Sequence, residues 1–278
     1  MKSFILGSRG SDLALAQAEI VREALSEADP KRPVEIRVIR TTGDERLDID
    51  LANPQGLDKG LFTKQLEDEL LAGQIDAAVH SLKDLPVELP PGLILGAIPR
   101  RAASGDILVS KHEGGLSGLP SGARVATSSA RRQHFLRLLR PDILIVPIRG
   151  NVPTRLRKLS ENAELDALLL AQAGLDRLAG CGKTGNQSIV PPGLRVTGEP
   201  EILPAPGQGA IGIECRVGDR MVLDFLAPLH CSETARCVGA ERALLKSLGG
   251  GCEIPLGALA EIHNDQVVLR SVYFGEPV

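Results

Sequence analysis

The sequence predicts an α/β protein built from two alternating blocks and a small terminal piece. Three observations carry that expectation. Short apolar runs alternate with helix-period segments in two separate stretches of the chain. Around residues 90–105, opened by Pro90-Pro91-Gly92, the alternation stops, which marks a crossing between domains. Residues 180–206, rich in Gly, Pro and Thr, interrupt it again and mark the return crossing.

In the first block, Phe4-Ile5-Leu6 predicts a strand, and a helix begins near Ser11 with Leu13, Ala16, Ile20 and Val21 on one face. Val34–Ile39 predicts the next strand. Residues 61–71 predict a helix aligning Phe62, Leu66 and Leu70, with Ala77-Ala78-Val79 a strand behind it. This order implies a largely parallel sheet flanked by helices. In the second block, Arg124–Ala126, residues 143–148 and residues 167–170 predict strands, separated by helices over Ala130–Leu139 and residues 152–159. After the return crossing, Ile211-Gly212-Ile213 predicts one more strand. The terminal piece carries a helix over residues 234–248 and a strand over residues 266–272. No internal repeat is strong enough to argue from.

Composition narrows the function. At 278 residues the chain can bury more than one hydrophobic core. Aromatic residues are 2% of the total, with one Tyr and no Trp, which argues against stacking platforms for nucleic acid. The net charge of −3 argues against a general polyanion binder. No apolar run approaches the roughly 20 residues of a membrane span. Past Met1-Lys2 the first apolar run is only Phe4-Ile5-Leu6, so no secretory signal is expected. Cysteines 181, 215, 231, 237 and 252 are odd in number and contain no CxxC pair, which disfavours a disulfide framework or a zinc ribbon. A cytoplasmic protein without nucleic-acid or membrane partners is expected, as a monomer. His80, His112 and His134 lack metal-ligand spacing and read as surface or core residues.

Arginine supplies 23 of the 32 basic residues, and its placement matters more than its abundance. In open sheets, ligands bind beyond the carboxyl ends of parallel strands. Five strand ends carry Ser8-Arg9-Gly10-Ser11, His80-Ser81-Leu82-Lys83-Asp84, Thr127 to Arg132, Arg149-Gly150-Asn151 with Arg155 a turn later, and Gln172-Ala173-Gly174 followed by Arg177. Each alone fits a solvated face, and Arg155 or Arg157 could simply pair with Glu161 or Glu164. Together they predict one positive cleft, reinforced by helix amino-termini, for a ligand with several carboxylates or phosphates. No GxxxxGK[ST] stretch is present, which excludes a nucleotide P-loop.

Two residues stand apart. Asp84 is an acid among cations, either a turn residue or a carboxylate able to stabilise a cationic intermediate and move protons. Cys252 follows Gly249-Gly250-Gly251 and precedes Glu253-Ile254-Pro255, so it is expected on an open turn rather than in a packed element. A hydrolase pairing Cys252 with His230 or His263 lacks a local nucleophile signature.

The motifs HSLKDLP, TSSARRQ, RGNVPTRL and GGGCEIP occur together, with DKGLFTKQLEDELL, AGLDRL and PAPGQGAIGIECR between and around them. In this combination and order the chain resembles the porphobilinogen deaminase, or hydroxymethylbilane synthase, family of tetrapyrrole and haem biosynthesis. The resemblance implies a transferase that joins four porphobilinogen molecules head to tail and releases ammonia. It implies a dipyrromethane cofactor held by a thioether, here on Cys252, and Asp84 as the catalytic carboxylate. By the same resemblance, Lys83, Thr127, Ser129, Arg131, Arg132 and Arg149 grip the cofactor's acetate and propionate groups, and Arg9, Ser11, Arg155 and Arg177 meet the arriving substrate.

The implied fold is two type II periplasmic-binding-protein-like α/β domains with two crossings, residues 1–99 with 203–220 and residues 100–202. A small α+β third domain, residues 221–278, bears the cysteine. That third domain is expected to be shorter than the family's, and Asp58 stands where the family carries glycine. The rival reading is a degenerate or non-enzymatic two-lobed anion-binding module. It explains the arginines but gives no role to Cys252 or Asp84.

Overall fold

The computed structural model describes residues 3–41, 63–180, 189–251 and 254–275. Its elements form two five-stranded sheets and a two-stranded hairpin. The first sheet begins with β1 (Phe4–Arg9), followed by α1 (Asp12–Ala28), β2 (Val34–Ile39), α2 (Lys64–Leu71), β3 (Ala77–Ser81) and β4 (Leu93–Ala97). Next come β5 (Asp106–Ser110), β6 (Arg124–Ala126), α3 (Ala130–Leu139), β7 (Leu144–Val146), α4 (Val152–Glu161), β8 (Ala167–Ala171), α5 (Gln172–Gly180) and β9 (Arg195–Gly198). The chain returns through β10 (Ile211–Arg216) and α6 (Arg220–Leu226). It finishes in α7 (Ser232–Ser247), β11 (Leu256–His263) and β12 (Gln266–Tyr273).

The strand orders are β2-β1-β3-β10-β4 and β7-β6-β8-β5-β9. Both sheets are mixed, which corrects the expectation of largely parallel sheets. β1 pairs in parallel with β2 and β3, whereas β10 runs antiparallel between β3 and β4. The second sheet repeats the pattern, with β5 antiparallel to both β8 and β9. The inserted strand in each sheet is the one that leaves a crossing: β5 after the outgoing segment and β10 after the return. A crossing therefore lies beside the end of β3 and beside the start of α5, two of the five places where the sequence puts polar residues.

Local sequence accounts for most elements. Phe4 and Leu6 alternate into the core from β1, and Ser11 caps α1 by accepting from the Ala14 amide. Ala16, Ala18, Val21 and Leu25 form the buried stripe of α1, while Ile20, expected on that face, is 37% exposed. Leu66 and Leu70 bury α2 as the spacing predicts; Phe62 lies outside the described residues. Val222 and Leu226 of α6 join the core of the first sheet with Phe4, Val79 and Ile213, so that core extends past the boundary expected at residue 220. Phe274, just beyond β12, packs edge-on against Phe135 of α3, so the terminal piece rests on the second domain. No helix among the described residues is long and apolar enough to cross a membrane.

Candidate active site

β3 ends in Ser81 and turns at once through a 3-10 turn, Leu82–Asp84. Leu82 is fully buried, Lys83 half-buried and Asp84 exposed, so the turn aims its charged residues away from the core. Across from it, α3, α4 and α5 start close to the ends of β6, β7 and β8. Lys83, Arg132, Arg155 and Arg177 line one cleft between the two sheets, with Ser81 and Gln17 on its wall. Gln17 and Ser81 are joined side chain to side chain, 2.8 Å from Nε2 to Oγ.

The cleft holds more cations than anions. Burial lowers the pKa of Lys83 below the ordinary lysine value; Asp84 and Asp106 oppose the shift, and Arg132 and Arg131 reinforce it. Burial likewise lowers Arg155, with Arg132 adding to the shift and Asp84 opposing it. Burial lowers Arg177 against the field of Asp176. Guanidinium groups stay charged in proteins, so these shifts measure unfavourable solvation rather than lost protons. Incoming carboxylates would relieve it, which makes the donor set a match for a polycarboxylate.

Arg131 and Arg132 are buried around one acid that the sequence motifs do not flag. Arg132 donates from Nε to Asp106 Oδ2 at 3.1 Å, from Nη2 to Asp106 Oδ1 at 2.8 Å and from Nη1 to the Leu169 carbonyl at 3.0 Å. Arg131 Nη2 lies 2.8 Å from Asp106 Oδ2, and its Nη1 donates to the Leu203 carbonyl. Gln208 of the return crossing adds a fourth donor, Nε2 to Asp106 Oδ1 at 2.8 Å. Burial by itself would raise the Asp106 pKa, but Arg132 and Arg131 hold the carboxyl far below its usual range. One carboxylate against two guanidiniums leaves a positive surplus at the base of the cleft.

The remaining expected residues have distinct placements. Ser129 caps α3 through the Arg132 amide, and Thr127 is buried with Oγ1 accepting from the Ser129 amide. Both shape the start of α3 and are not on the cleft wall that holds Arg132. Ser11 is the cap of α1, and Arg9 is half-buried at the end of β1. Arg149 is exposed and lines a separate groove along β7 with Arg124 and Lys158. Arg155 turns inward, its Nε donating to the Gly150 carbonyl at 2.7 Å, while Arg157 pairs with Glu161 on the surface. Arg177 Nη2 donates to the Gly209 carbonyl at 2.8 Å, which ties α5 to the return crossing. Only glycine fits at 209: φ is +84°, and a β-carbon would sit 2.7 Å from the Ala102 carbonyl oxygen.

Cys252 and Asp58 lie outside the described residues. The glycines before Cys252 are described: φ is +96° at Gly249 and +58° at Gly250. A β-carbon on Gly250 would sit 3.7 Å from Val87 Cγ2. Val87 lies in the loop that follows Asp84, so the glycine run approaches the turn that carries the acid. Besides Asp106 and Gln208, sequence reasoning missed Gln17, and no spacing rule links any of them to its partner. His80 and His112 are held in structural pairs: His80 Nε2 lies 3.1 Å from buried Glu214, and His112 Nε2 lies 2.9 Å from Asp166.

Comparison with known proteins gives two family matches. Residues 4–224 match the model described as porphobilinogen deaminase, dipyromethane cofactor binding domain, and residues 235–274 match porphobilinogen deaminase, C-terminal domain. A porphobilinogen deaminase of Syntrophobacter fumaroxidans is 48% identical over 96% of this chain and 82% of its own length. That of a Roseiflexus species is 49% identical over 98% and 86%. That of Nitratidesulfovibrio vulgaris is 46% identical over 95% and 80%.

Proposed function

The chain belongs to the porphobilinogen deaminase family, and from that premise we propose how its own residues carry the family's reaction. The reaction is a transfer that condenses four porphobilinogen molecules head to tail into hydroxymethylbilane. Each condensation breaks a carbon–nitrogen bond with loss of ammonia and forms a carbon–carbon bond to the preceding pyrrole, whose ring carbon gives up a proton. Dipyrromethane is the family's cofactor, and when bound it supplies the pyrrole carbon on which the first condensation takes place.

The single observation that carries the assignment of roles is Asp84, an exposed carboxylate on the turn beside the cleft, whose negative charge acts on Lys83 and Arg155, two of the four cations in the cleft lining. Departure of ammonia leaves positive charge on the substrate's methylene and ring nitrogen, and a fixed carboxylate is what stabilises it. The same carboxylate accepts and returns the pyrrole N–H proton as that charge develops. Lys83 and Arg132 on the cleft wall, with Arg131 behind them, hold the cofactor's carboxylates. Thr127 and Ser129, which shape the start of α3, and Arg149, in its neighbouring groove, join that set on the family's pattern rather than on the cleft geometry. Arg9, Ser11, Arg155 and Arg177 receive those of the arriving substrate. Each charge-assisted bond contributes about 1.5–3 kcal/mol, enough in sum to retain a chain whose acid count rises with every step. Cys252 is the attachment point, and the approach of Gly250 to Val87 supports bringing it near Asp84. A reducing, cytoplasmic setting is supported by an odd cysteine count without a CxxC pair. An anion-binding module can use a buried acid such as Asp106 to orient its arginines, but it has no use for an exposed one such as Asp84.

The test is ammonia release from porphobilinogen by wild type and by Asp84→Asn. The variant is expected to fold, to carry cofactor and to turn over on the order of 10²-fold more slowly. A near-normal rate would show that Asp84 is not the acting carboxylate.

A further inference from the structure

α7 presents Thr234, Val238, Glu241 and Arg242 on one buried stripe, the spacing of a single helix face. Each residue meets a different part of the two crossings and their surroundings. Thr234 Oγ1 accepts from the Arg101 amide in the outgoing crossing. Glu241 takes Arg101 Nη1 at 2.6 Å and Nη2 at 3.0 Å, and also accepts the Gly207 amide of the return crossing at 2.7 Å and the Ala260 amide of β11 at 2.9 Å. Val238 packs with Leu82, Leu85, Ile98 and Ala210.

Arg242 reaches the turn that carries Asp84. Its Nη1 donates to the carbonyls of Leu82 at 3.3 Å and Leu85 at 3.1 Å, and its Nη2 to those of Pro86 at 2.7 Å and Val87 at 3.3 Å. These carbonyls bracket Lys83-Asp84 on both sides. A tight turn followed by proline leaves carbonyl groups without strand partners, and buried unpaired carbonyls are costly. A planar guanidinium with five donors can satisfy several at once, which a lysine ammonium cannot do in the same geometry.

We propose that Arg242 is a positioning residue for the reaction: by gathering the carbonyls of Leu82, Leu85, Pro86 and Val87, it fixes the exposed Asp84 beside the cleft and couples it to the domain whose glycine run leads to Cys252. The inference rests on the reading of Asp84 as the acting carboxylate. Through these main-chain carbonyls Arg242 acts on Asp84 by way of the turn. A displaced catalytic group loses turnover far more than affinity, with about 10²-fold for a shift near 1 Å.

The experiment compares Arg242→Met, Arg242→Lys and Asp84→Asn with wild type, measuring intact mass for cofactor, kcat, KM and melting temperature. Both Arg242 variants are expected to carry the two-pyrrole mass, to lose about 10–100-fold in kcat with KM within about threefold, and to show less loss for lysine than for methionine. Should Arg242→Met fail to fold, Arg242→Lys decides on the same readouts. A loaded Arg242 variant with wild-type kcat beside an impaired Asp84→Asn would overturn the positioning role alone. So would a kcat loss that disappears when the assay is cooled further below the variant's melting temperature. A wild-type kcat in Asp84→Asn would overturn both that role and the reading beneath it.

Discussion

Arg132 and Asp106 meet through two parallel hydrogen bonds, Nε to Oδ2 at 3.1 Å and Nη2 to Oδ1 at 2.8 Å, with neither residue more than 6% exposed. The guanidinium that lines the cleft is thus held by an acid behind it. Its orientation is set before any ligand arrives, and the entropy of ordering a long side chain is met during folding rather than during binding.

Asp106→Asn strands two buried guanidiniums with no counter-ion. Loss of one partner from a buried ion pair costs about 3–5 kcal/mol. Denaturant unfolding is expected to show a drop of about that size. A change below about 1 kcal/mol would mean that Arg131 and Arg132 do not depend on this acid.

The acid side of the stability curve should carry the same signature. Asp106 has a depressed folded pKa, so its contribution is present above the unfolded value near 4 and lost as pH falls through the folded value. The stability gap between wild type and Asp106→Asn is expected to be level from pH 8 down to about pH 5 and to close below about pH 4. A gap that instead closes above pH 6 would point to a different group.

Glu67 of α2 should behave in the opposite sense. Burial raises its pKa, Glu214 adds to the rise, and Thr63 and His80 oppose it. A raised folded pKa contributes stability that is present below the unfolded value and lost as pH rises through the folded value. Glu67→Gln is therefore expected to melt higher than wild type at pH 8 and nearly equal to it at pH 4. Equal melting at both would show that the buried carboxyl carries no penalty.

Arg155 and Arg157 offer a contrast along a single helix. Arg157 pairs with Glu161 at 3.5 Å in solvent, a contact worth about 0–1 kcal/mol, whereas Arg155 faces the cleft. Arg155→Leu is expected to raise KM for porphobilinogen by about 10–100-fold, and Arg157→Leu to leave it unchanged. Equal effects in steady-state assays would contradict the inward role of Arg155.

Much of the fold and site is legible in the sequence because strand ends and helix starts are local features. Arg155 and Arg177 follow apolar runs, so their delivery to one end of a sheet can be read directly. Asp106 cannot be read that way, since its partners Arg131, Arg132 and Gln208 join it only once both crossings are closed. Arg242 is hidden for the same reason: its four carbonyl partners lie in the turn after β3. Strand β4 merges with the crossing in the sequence because LILGA is short, glycine-interrupted and beside Pro90-Pro91-Gly92. The mixed sheets are equally invisible, because alternation of strand and helix reveals order but not the direction of a strand inserted from a crossing.

The claim at the centre is that a cation-lined cleft retains an acidic dipyrrole tethered at Cys252 beside Asp84. Intact-mass spectrometry of wild type, Cys252→Ser and Arg132→Leu tests it most directly. Wild type is expected to carry the added mass of two linked pyrroles, and both variants are expected to be bare. Wild type without that mass from cells that make tetrapyrroles, or Cys252→Ser still bearing it, would contradict the claim.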